Sequence, residues 1–138
     1  MLAALLGAIE GRGAALDAAL AAIDNEGILT VIATGNYLGG ADGAGVLPAL
    51  RRRDALLVQG AQDRMLVRLR RKAATARARL TEAQYAALDA AYASTPSTDL
   101  ETLRALPRVA QRSYEGRTFA IAHGALNNAA EVLDADTP

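Results

Sequence analysis

The chain has 138 residues, of which 51% are hydrophobic, and its 15 Lys and Arg residues balance its 15 Asp and Glu residues. This length and apolar content predict one domain with its own core, and the balanced charge predicts no affinity for nucleic acids by itself. The sequence contains no cysteine, which excludes a disulfide framework, a thiolate nucleophile and zinc-finger chemistry.

The chain opens on an apolar run over residues 2–9, which ends at Glu10. This run is too short to span a membrane, and it lacks the cationic lead of a secretory signal peptide. We therefore expect no membrane partner and a cytoplasmic location.

A helix and two strands are predicted in the first half of the chain. Leu16, Leu20 and Ile23 recur at a helical spacing. Residues 28–34 form a near-continuous apolar run with β-branched members, which is typical of a strand buried on both faces, and residues 55–59 repeat this pattern more weakly. The alternation of strand and helix predicts an α/β fold with a parallel sheet.

The middle of the chain is predicted to be helical. Residues 62–80 carry an apolar stripe that predicts one amphipathic helix, with the members Met65, Leu69, Ala73, Ala76 and Leu80. Two further helices are predicted to begin at capping boxes, in which a Thr and a residue three positions later satisfy each other's backbone N–H groups. These pairs are Thr81 with Gln84 and Thr98 with Glu101.

The last predicted elements form a β-hairpin. Pro107 ends the preceding helix, and residues 108–114 and 117–122 then have the composition of two strands. Glu115 and Gly116 between them are suited to a hairpin turn.

Four short segments, each near the end of a predicted strand, carry the functional signal. They are Gly7-Ala8-Ile9-Glu10-Gly11-Arg12, Gly35-Asn36-Tyr37-Leu38-Gly39-Gly40, Gly60-Ala61-Gln62-Asp63-Arg64 and His123-Gly124. Their order resembles the calcineurin-like metallophosphoesterases, whose motifs are Asp-x-His-Gly, Gly-Asp-x-x-x-x-Gly, Gly-Asn-His-Asp/Glu and a later His-Gly. The resemblance implies the N-terminal part of an α/β/β/α sandwich, with a first strand in residues 1–6.

The same resemblance implies that the two-metal site of the family has been dismantled. Ala8 and Ala61 cannot ligate a metal, and Asn36 stands where the family has a bridging aspartate. Such a centre needs charged ligands, because the metals must lower the pKa of bound water from about 15.7 to about 7. Glu10, Asn36 and His123 are the vestigial metal ligands, so a divalent ion such as manganese is expected weakly if at all.

The motif positions that the family uses for catalysis are also altered. Gln62 occupies the place of a histidine that protonates the leaving group, and an amide does not titrate near neutral pH. Gln62 and Asp63 are therefore vestigial catalytic positions. The resemblance implies a pseudoenzyme-like protein with poor or no phosphatase or phosphodiesterase activity, and whether it is an enzyme stays open at this point.

Residues 51–79 contain ten basic residues against two acidic ones, and ten minus two leaves a local excess of eight positive charges. This segment could bind an anion, a nucleic acid or an acidic partner, although a solvated helix surface is the commoner explanation. Arg64, Arg68 and Arg71 would share one face of the predicted helix. We expect phosphate or another anion to bind weakly at its N-terminus, contacted by Arg12 or Arg64.

Three alternatives remain open at the level of the sequence. Gly7, Gly35 and Gly60 could merely end strands in an unrelated α/β domain. The ligand losses could be natural or engineered. Residues 1–138 would form a single domain without the family's later Gly-His-x-His segment, and the sheet edge left exposed could then serve an interaction module that pairs with a second copy or another protein.

Overall fold

A computed structural model of the chain describes residues 2–39, 43–114 and 116–124. Nothing is described for the side chain of residue 114. Residues 125–138, on which the expectation of a missing Gly-His-x-His segment rests, lie outside the described ranges. The elements in chain order are β1 Ala3–Leu6, α1 Gly13–Asn25, β2 Thr30–Ala33, a 3-10 turn at Gly43–Gly45, α2 Val46–Arg52, β3 Leu56–Leu57, α3 Ala61–Arg68, α4 Ala73–Arg79, α5 Glu82–Ser94, α6 Ser97–Ala105, β4 Val109–Tyr114 and β5 Arg117–Ala122. The fold is α/β, as predicted.

The first three strands form a parallel sheet in the order β1-β2-β3. Leu5 pairs with Ile32, and Ile32 in turn pairs with Leu56. Parallel neighbours need a crossover connection, and α1 supplies the connection between β1 and β2. The first strand, which only the family resemblance favoured over a helix, is therefore present.

The prediction that residues 28–34 are buried on both faces is wrong. Burial alternates along β2, with Val31 and Ala33 buried and the residues between them only partly buried. On β1 the alternation continues, and Leu5 is 68% exposed. The reason is that the helices pack their apolar side chains on one face of the sheet, where the core includes Leu16 and Leu50.

The single helix predicted over residues 62–80 is two helices, α3 and α4, separated by a turn. The predicted stripe fails because Leu66 and Leu69 are buried, whereas Met65 is 43% exposed. No residue of α4 is buried, so no packing against the core keeps α4 collinear with α3. Arg71 consequently lies in the turn and not on the helical face that carries Arg64.

One of the two predicted capping boxes is present. Gln84 donates its backbone N–H to Oγ1 of Thr81 at 3.2 Å, and Thr81 returns its own N–H to Oε1 of Gln84 at 2.9 Å. The box predicted at Thr98 is wrong, because α6 already begins at Ser97 with Pro96 as its N-terminal cap. The sequence interpretation also missed α2.

The C-terminal strands β4 and β5 pair antiparallel as predicted, although residue 115 of their turn lies outside the described ranges. The hairpin is tied to the end of β3, where Gln59 donates its backbone N–H to the carbonyl of Pro107 at 2.7 Å. No helix within the described ranges is long and apolar enough to cross a membrane.

Candidate functional site

The segments that follow β1 and β2 are joined to each other by backbone hydrogen bonds. Ile9 and Glu10 donate their N–H groups to the carbonyl of Asn36, at 3.1 and 2.8 Å, and Gly11 donates to the carbonyl of Tyr37 at 2.8 Å. The carboxyl ends of parallel strands share one edge of the sheet, which is where ligands bind in open α/β folds. The structure therefore brings the predicted motifs together at the expected edge.

Two of the motif glycines are required by close contact between loops. A Cβ on Gly35 would lie 2.4 Å from the backbone nitrogen of Gly60, and Gly35 also has a φ of +104°. A Cβ on Gly60 would lie 2.3 Å from the backbone nitrogen of Asn36. A Cβ on Gly7 would meet nothing within 4 Å, so the role of Gly7 as a simple strand end stays open.

The Asp63 carboxylate joins the second and third motifs. Its side chain is 1% exposed, and Oδ2 accepts the N–H groups of Asn36 and Gly60, both at 2.8 Å. Oδ1 accepts the N–H of Tyr37 at 3.0 Å. Burial raises the pKa of Asp63, while these hydrogen bonds and the nearby charge of His123 oppose the rise. Both oxygens are thus engaged in holding the loops, and the catalytic role of Asp63 stays a prediction.

Asn36 lies at the centre of this junction. Its φ is +56°, in the left-handed region that asparagine tolerates better than most residues. Its Oδ1 accepts the backbone N–H of Gln62 at 3.0 Å, and the residue is 8% exposed. This oxygen therefore already has a protein partner, and the same bond fixes the start of α3 beside Asn36.

Glu10 and Arg12 lie at the accessible side of the junction. Glu10 also has a positive φ, at +52°, and its Oε2 pairs with Nη2 of Arg12 at 2.9 Å. The side chain of Arg12 is 67% exposed. An ion pair so accessible to water contributes little to stability, so Arg12 is free to exchange Glu10 for an incoming anion.

His123 is brought to the same place from the end of β5. Its Nδ1 lies 2.7 Å from the carbonyl oxygen of Thr34, next to the second motif. Because a carbonyl only accepts, Nδ1 must carry the proton, and in the neutral imidazole Nε2 then holds the free lone pair. The sequence prediction that His123-Gly124 belongs with the other motifs agrees with this position.

The donor set does not fit a two-metal centre. Ala8 and Ala61 supply no ligand, and within the described ranges no three His, Cys, Asp or Glu side chains lie close enough to hold a metal ion. Two divalent ions need several anionic or imidazole ligands to offset their charge. Weak binding of one ion by Glu10, Asn36 and His123 stays a prediction.

The positive charge near α3 comes from a different set of residues than predicted. The pKa of Arg64 is lowered, first by the charge of Arg68, then by burial and by the charge of Arg108. Arg68 follows Arg64 by one helical turn, whereas Arg108 arrives from the start of β4. Repulsion among like charges is relieved by an anion, so this cluster favours the anion-binding expectation for Arg64.

Sequence interpretation missed Tyr37, which is fully buried beneath the site. Its hydroxyl lies 2.8 Å from the carbonyl oxygens of Ala33 and Val58, and it bridges the ends of β2 and β3. Burial raises the pKa of this hydroxyl. A tyrosine between Asn36 and Leu38 has no sequence signal that distinguishes a buried bridge from an exposed loop residue.

Comparisons with known proteins locate this fold among solved structures. No protein-family model and no curated protein matches the sequence. A hypothetical protein from Pyrococcus horikoshii OT3 has a similar structure, with a TM-score of 0.78 and 19% identity over 99% of this chain and 61% of that one. This similarity shows the fold alone.

A second structural neighbour carries a functional description. It is described as "a putative diadenosine tetraphosphatase", and it matches with a TM-score of 0.60 and 28% identity over 78% of this chain. The chain spans 43% of that neighbour's length and 61% of the first neighbour's length. The activity of either whole protein is therefore not transferred to this chain by the comparison.

Proposed function

We propose that this chain is a metallophosphoesterase-like domain whose site binds phosphate-bearing ligands weakly and hydrolyses them slowly or not at all. Support comes from the motif order, from the convergence of the motif loops at one sheet edge, and from a structural neighbour described as "a putative diadenosine tetraphosphatase". In this proposal, the chain does not supply enough ligands to hold a dinuclear metal centre.

The observation that carries the proposal is the hydrogen bond between Oδ1 of Asn36 and the backbone N–H of Gln62, 3.0 Å long. At the position where the family has a bridging aspartate, this chain has a neutral side chain whose oxygen is already used within the protein. An amide brings no charge to offset two divalent ions, so the loops stay joined without metal.

Metal content and turnover test this proposal together. The purified chain is incubated with manganese, and bound metal is measured by elemental analysis alongside hydrolysis of an aryl phosphate diester. We expect less than one tightly bound ion per chain and no metal-dependent turnover. Two bound ions with metal-dependent turnover would contradict the proposal, whereas one loosely held ion would agree with the vestigial ligands Glu10, Asn36 and His123.

Anion binding is the second part of the proposal, and it rests on the positive cluster at Arg64 and on the exposed Arg12. Phosphate titration of the full chain by NMR should shift amide signals in segments 7–12, 35–39 and 60–64. We expect a dissociation constant on the order of 1 mM or weaker, and strong dependence on salt. The variant Arg64→Gln should weaken binding, while Arg79→Gln on α4 should not. Shifts confined to other segments would contradict anion binding at this site and would show that the arginines only form a solvated surface.

A second candidate function, self-association as an interaction module, is favoured by the open face of the sheet. Leu5 is 68% exposed, and it stands in register with Ile32 and Leu56, which are only partly buried. Strand β1 pairs only with β2 among the described strands, so its outer edge has unpaired backbone groups. A two-fold dimer is the simplest cover for such a surface.

Light scattering at high protein concentration tests the dimer. We expect a dimer for the native chain and a monomer for Leu5→Lys, because a charge on the face would have to be desolvated on pairing. The control Leu29→Lys changes a 91% exposed leucine outside the strands and should leave the dimer intact. A native chain that stays monomeric contradicts this candidate and leaves the phosphate-binding proposal untouched.

A further inference from the structure

A cavity lies between the C-terminal end of α3, the turn that follows α3 and the last turn of α6. Its volume is about 420 Å³, which is within the range of small-molecule pockets. Its described wall consists of four arginines, one amide and one apolar residue, namely Arg68, Arg70, Arg71, Arg104, Gln59 and Val67. Arg12, Asn36 and Arg64 do not belong to this wall, so the cavity is distinct from the site at the motif loops.

Three of the four arginines have no anionic partner within the part of the chain that the structure describes. The described ion pairs do not involve Arg68, Arg71 or Arg104, and neither do the described side-chain hydrogen bonds. Glu101 precedes Arg104 by one turn of α6, and it is not in a described ion pair either. The charge of Arg68 is strong enough at Arg64 to lower the pKa of that residue. These positive charges are therefore available to an incoming anion.

The fourth arginine, Arg70, is held in place without using its donors fully. Its Nη1 lies 2.9 Å from Oδ1 of Asp89, yet that oxygen accepts no hydrogen bond, so the two charges attract each other without an aligned N–H group. The guanidinium also lies over the ring of Tyr92, 4.8 Å from its centroid. These contacts fix the position of Arg70 and leave its N–H groups free to bind a ligand.

The arginines are attached to a rigid frame. Leu69, which precedes Arg70, is 1% exposed, and Leu103, which precedes Arg104, is fully buried. Gln59 joins the two walls, because its Nε2 donates to the carbonyl of Leu103 at 2.7 Å. Cations that are already held close together lose less conformational freedom when a ligand binds.

Two helix C-termini face this cavity, and each carries about half a negative charge, which repels anions. The terminal carbonyls are partly satisfied within the chain. The carbonyl of Arg68 accepts the N–H of Lys72 at 2.9 Å, and the carbonyl of Thr102 accepts the N–H of Leu106 at 3.2 Å. The four guanidiniums exceed the Asp89 carboxylate and the two half-charges by about two positive charges. The cavity therefore attracts anions on balance.

We propose that this cavity binds a small molecule with two or more linked phosphate groups. A guanidinium binds phosphate through two parallel N–H···O bonds, and arginines on both walls require an anion with oxygens on several sides. A single carboxylate is planar and has two oxygens, so it engages fewer of the arginines. The described wall offers only Val67 to an apolar group, which favours a ligand of dense charge. This inference goes beyond the proposed function, because no motif residue takes part in it.

Tripolyphosphate is the probe that tests this inference, with orthophosphate and citrate as the single-phosphate and carboxylate comparisons. The full chain is titrated at constant ionic strength and followed by amide NMR. We expect saturable shifts at residues 67–72 and 101–106, and binding of tripolyphosphate at least about tenfold tighter than that of the other two anions. Equally tight binding of citrate would overturn the proposal. Shifts confined to 7–12, 35–39 and 60–64 would also overturn it, while agreeing with phosphate binding at the motif loops.

Variants assign the binding to the cavity. Arg71→Gln and Arg104→Gln change exposed residues, so the fold should be retained, and each should weaken tripolyphosphate binding about tenfold. Arg79→Gln, an exposed arginine of α4 outside the wall, is the matched control and should bind as the native chain does. Arg64→Gln separates the two sites, because the shifts at 67–72 should persist when binding at the motif loops is weakened. Native affinity in Arg71→Gln and Arg104→Gln, or an equal loss in Arg79→Gln, would refute the site.

Discussion

At the loop junction, a few single residues hold the motif loops together. Asp63 accepts three backbone N–H groups, and Gly35 and Gly60 let the second and third motif loops touch. In these contacts the partners of the Asp63 carboxylate are backbone N–H groups, and the glycines bring backbone atoms together, so the junction does not need a metal ion to hold it.

Replacing Asp63 by Asn tests the role of the carboxylate. The substitution converts one oxygen into an NH₂ group that faces backbone donors, so at least one buried N–H loses its acceptor. We expect the free energy of unfolding to fall by about 3 kcal/mol, as is usual when a hydrogen-bonded charged group is removed from a buried position. Urea unfolding measures this change, and Asp17→Asn on the exposed side of α1 should change stability by less than about 0.5 kcal/mol. Equal effects of the two substitutions would show that Asp63 is not structural.

The variant Gly60→Ala tests the contact between the loops. Its Cβ would lie 2.3 Å from the backbone nitrogen of Asn36 and 2.4 Å from Oδ1 of the same residue, so the loops would have to separate. We expect a loss of at least about 2 kcal/mol, comparable to overpacking in a core. Gly45→Ala is the control, because a Cβ there has nothing within 4 Å. Thermal melts that agree for both variants would contradict the close approach.

At the level of elements, the break between α3 and α4 divides the basic segment 51–79 into two helices. Contacts with α5 then fix where some of its basic side chains lie. Arg70 stacks over Tyr92 at 4.8 Å and pairs with Asp89 at 2.9 Å, so the turn between α3 and α4 is attached to α5. Arg77 of α4 likewise lies 4.5 Å from the ring centroid of Tyr85. Some of the basic residues therefore contact aromatic rings of α5, and they do not form one continuous positive face.

The capping box of α5 gives a prediction at this level. Thr81→Ala removes the acceptor for the backbone N–H of Gln84, so we expect a loss of about 1 kcal/mol in the free energy of unfolding. Thr98→Ala, which removes the threonine of the box that did not form, should cost clearly less. Denaturant midpoints of the two variants measure the difference. A larger loss at Thr98 would mean that the start of α6 has been assigned to the wrong residue.

For the whole molecule, the neutral side chains at the loop junction bear on stability. Oδ1 of Asn36 and Oδ2 of Asp63 both lie within 3.0 Å of the point where a Cβ on Gly60 would stand. A second carboxylate in this small volume would repel the buried one unless a cation joined them. A neutral side chain at residue 36 avoids this repulsion in the metal-free fold, and we therefore expect it to favour stability, in line with the general trade between activity and stability.

The double reversion Ala8→Asp with Asn36→Asp tests this argument. In chelator we expect the free energy of unfolding to fall by about 1–2 kcal/mol, or roughly 3–7 °C in melting temperature for a chain of this size. Manganese should recover more stability in the reverted chain than in the native one, because only the former has added carboxylates to neutralise. The exposed substitution Asn25→Asp controls for added charge. A reverted chain that melts higher in chelator would contradict the repulsion.

The sequence by itself determined the parallel α/β class, the position of the C-terminal hairpin, the Thr81 capping box and the order of the motif loops, because periodicity, caps and turn residues are local signals. Only the tertiary structure decided that the sheet is covered on one face and that the helix predicted over 62–80 breaks after Arg68. It also decided that the buried side chains of Asp63 and Tyr37 join the motif loops and the strand ends by hydrogen bonds. These features depend on contacts between residues far apart in the chain, and a side chain's burial and hydrogen-bond partners are set by such contacts and not by its neighbours in sequence.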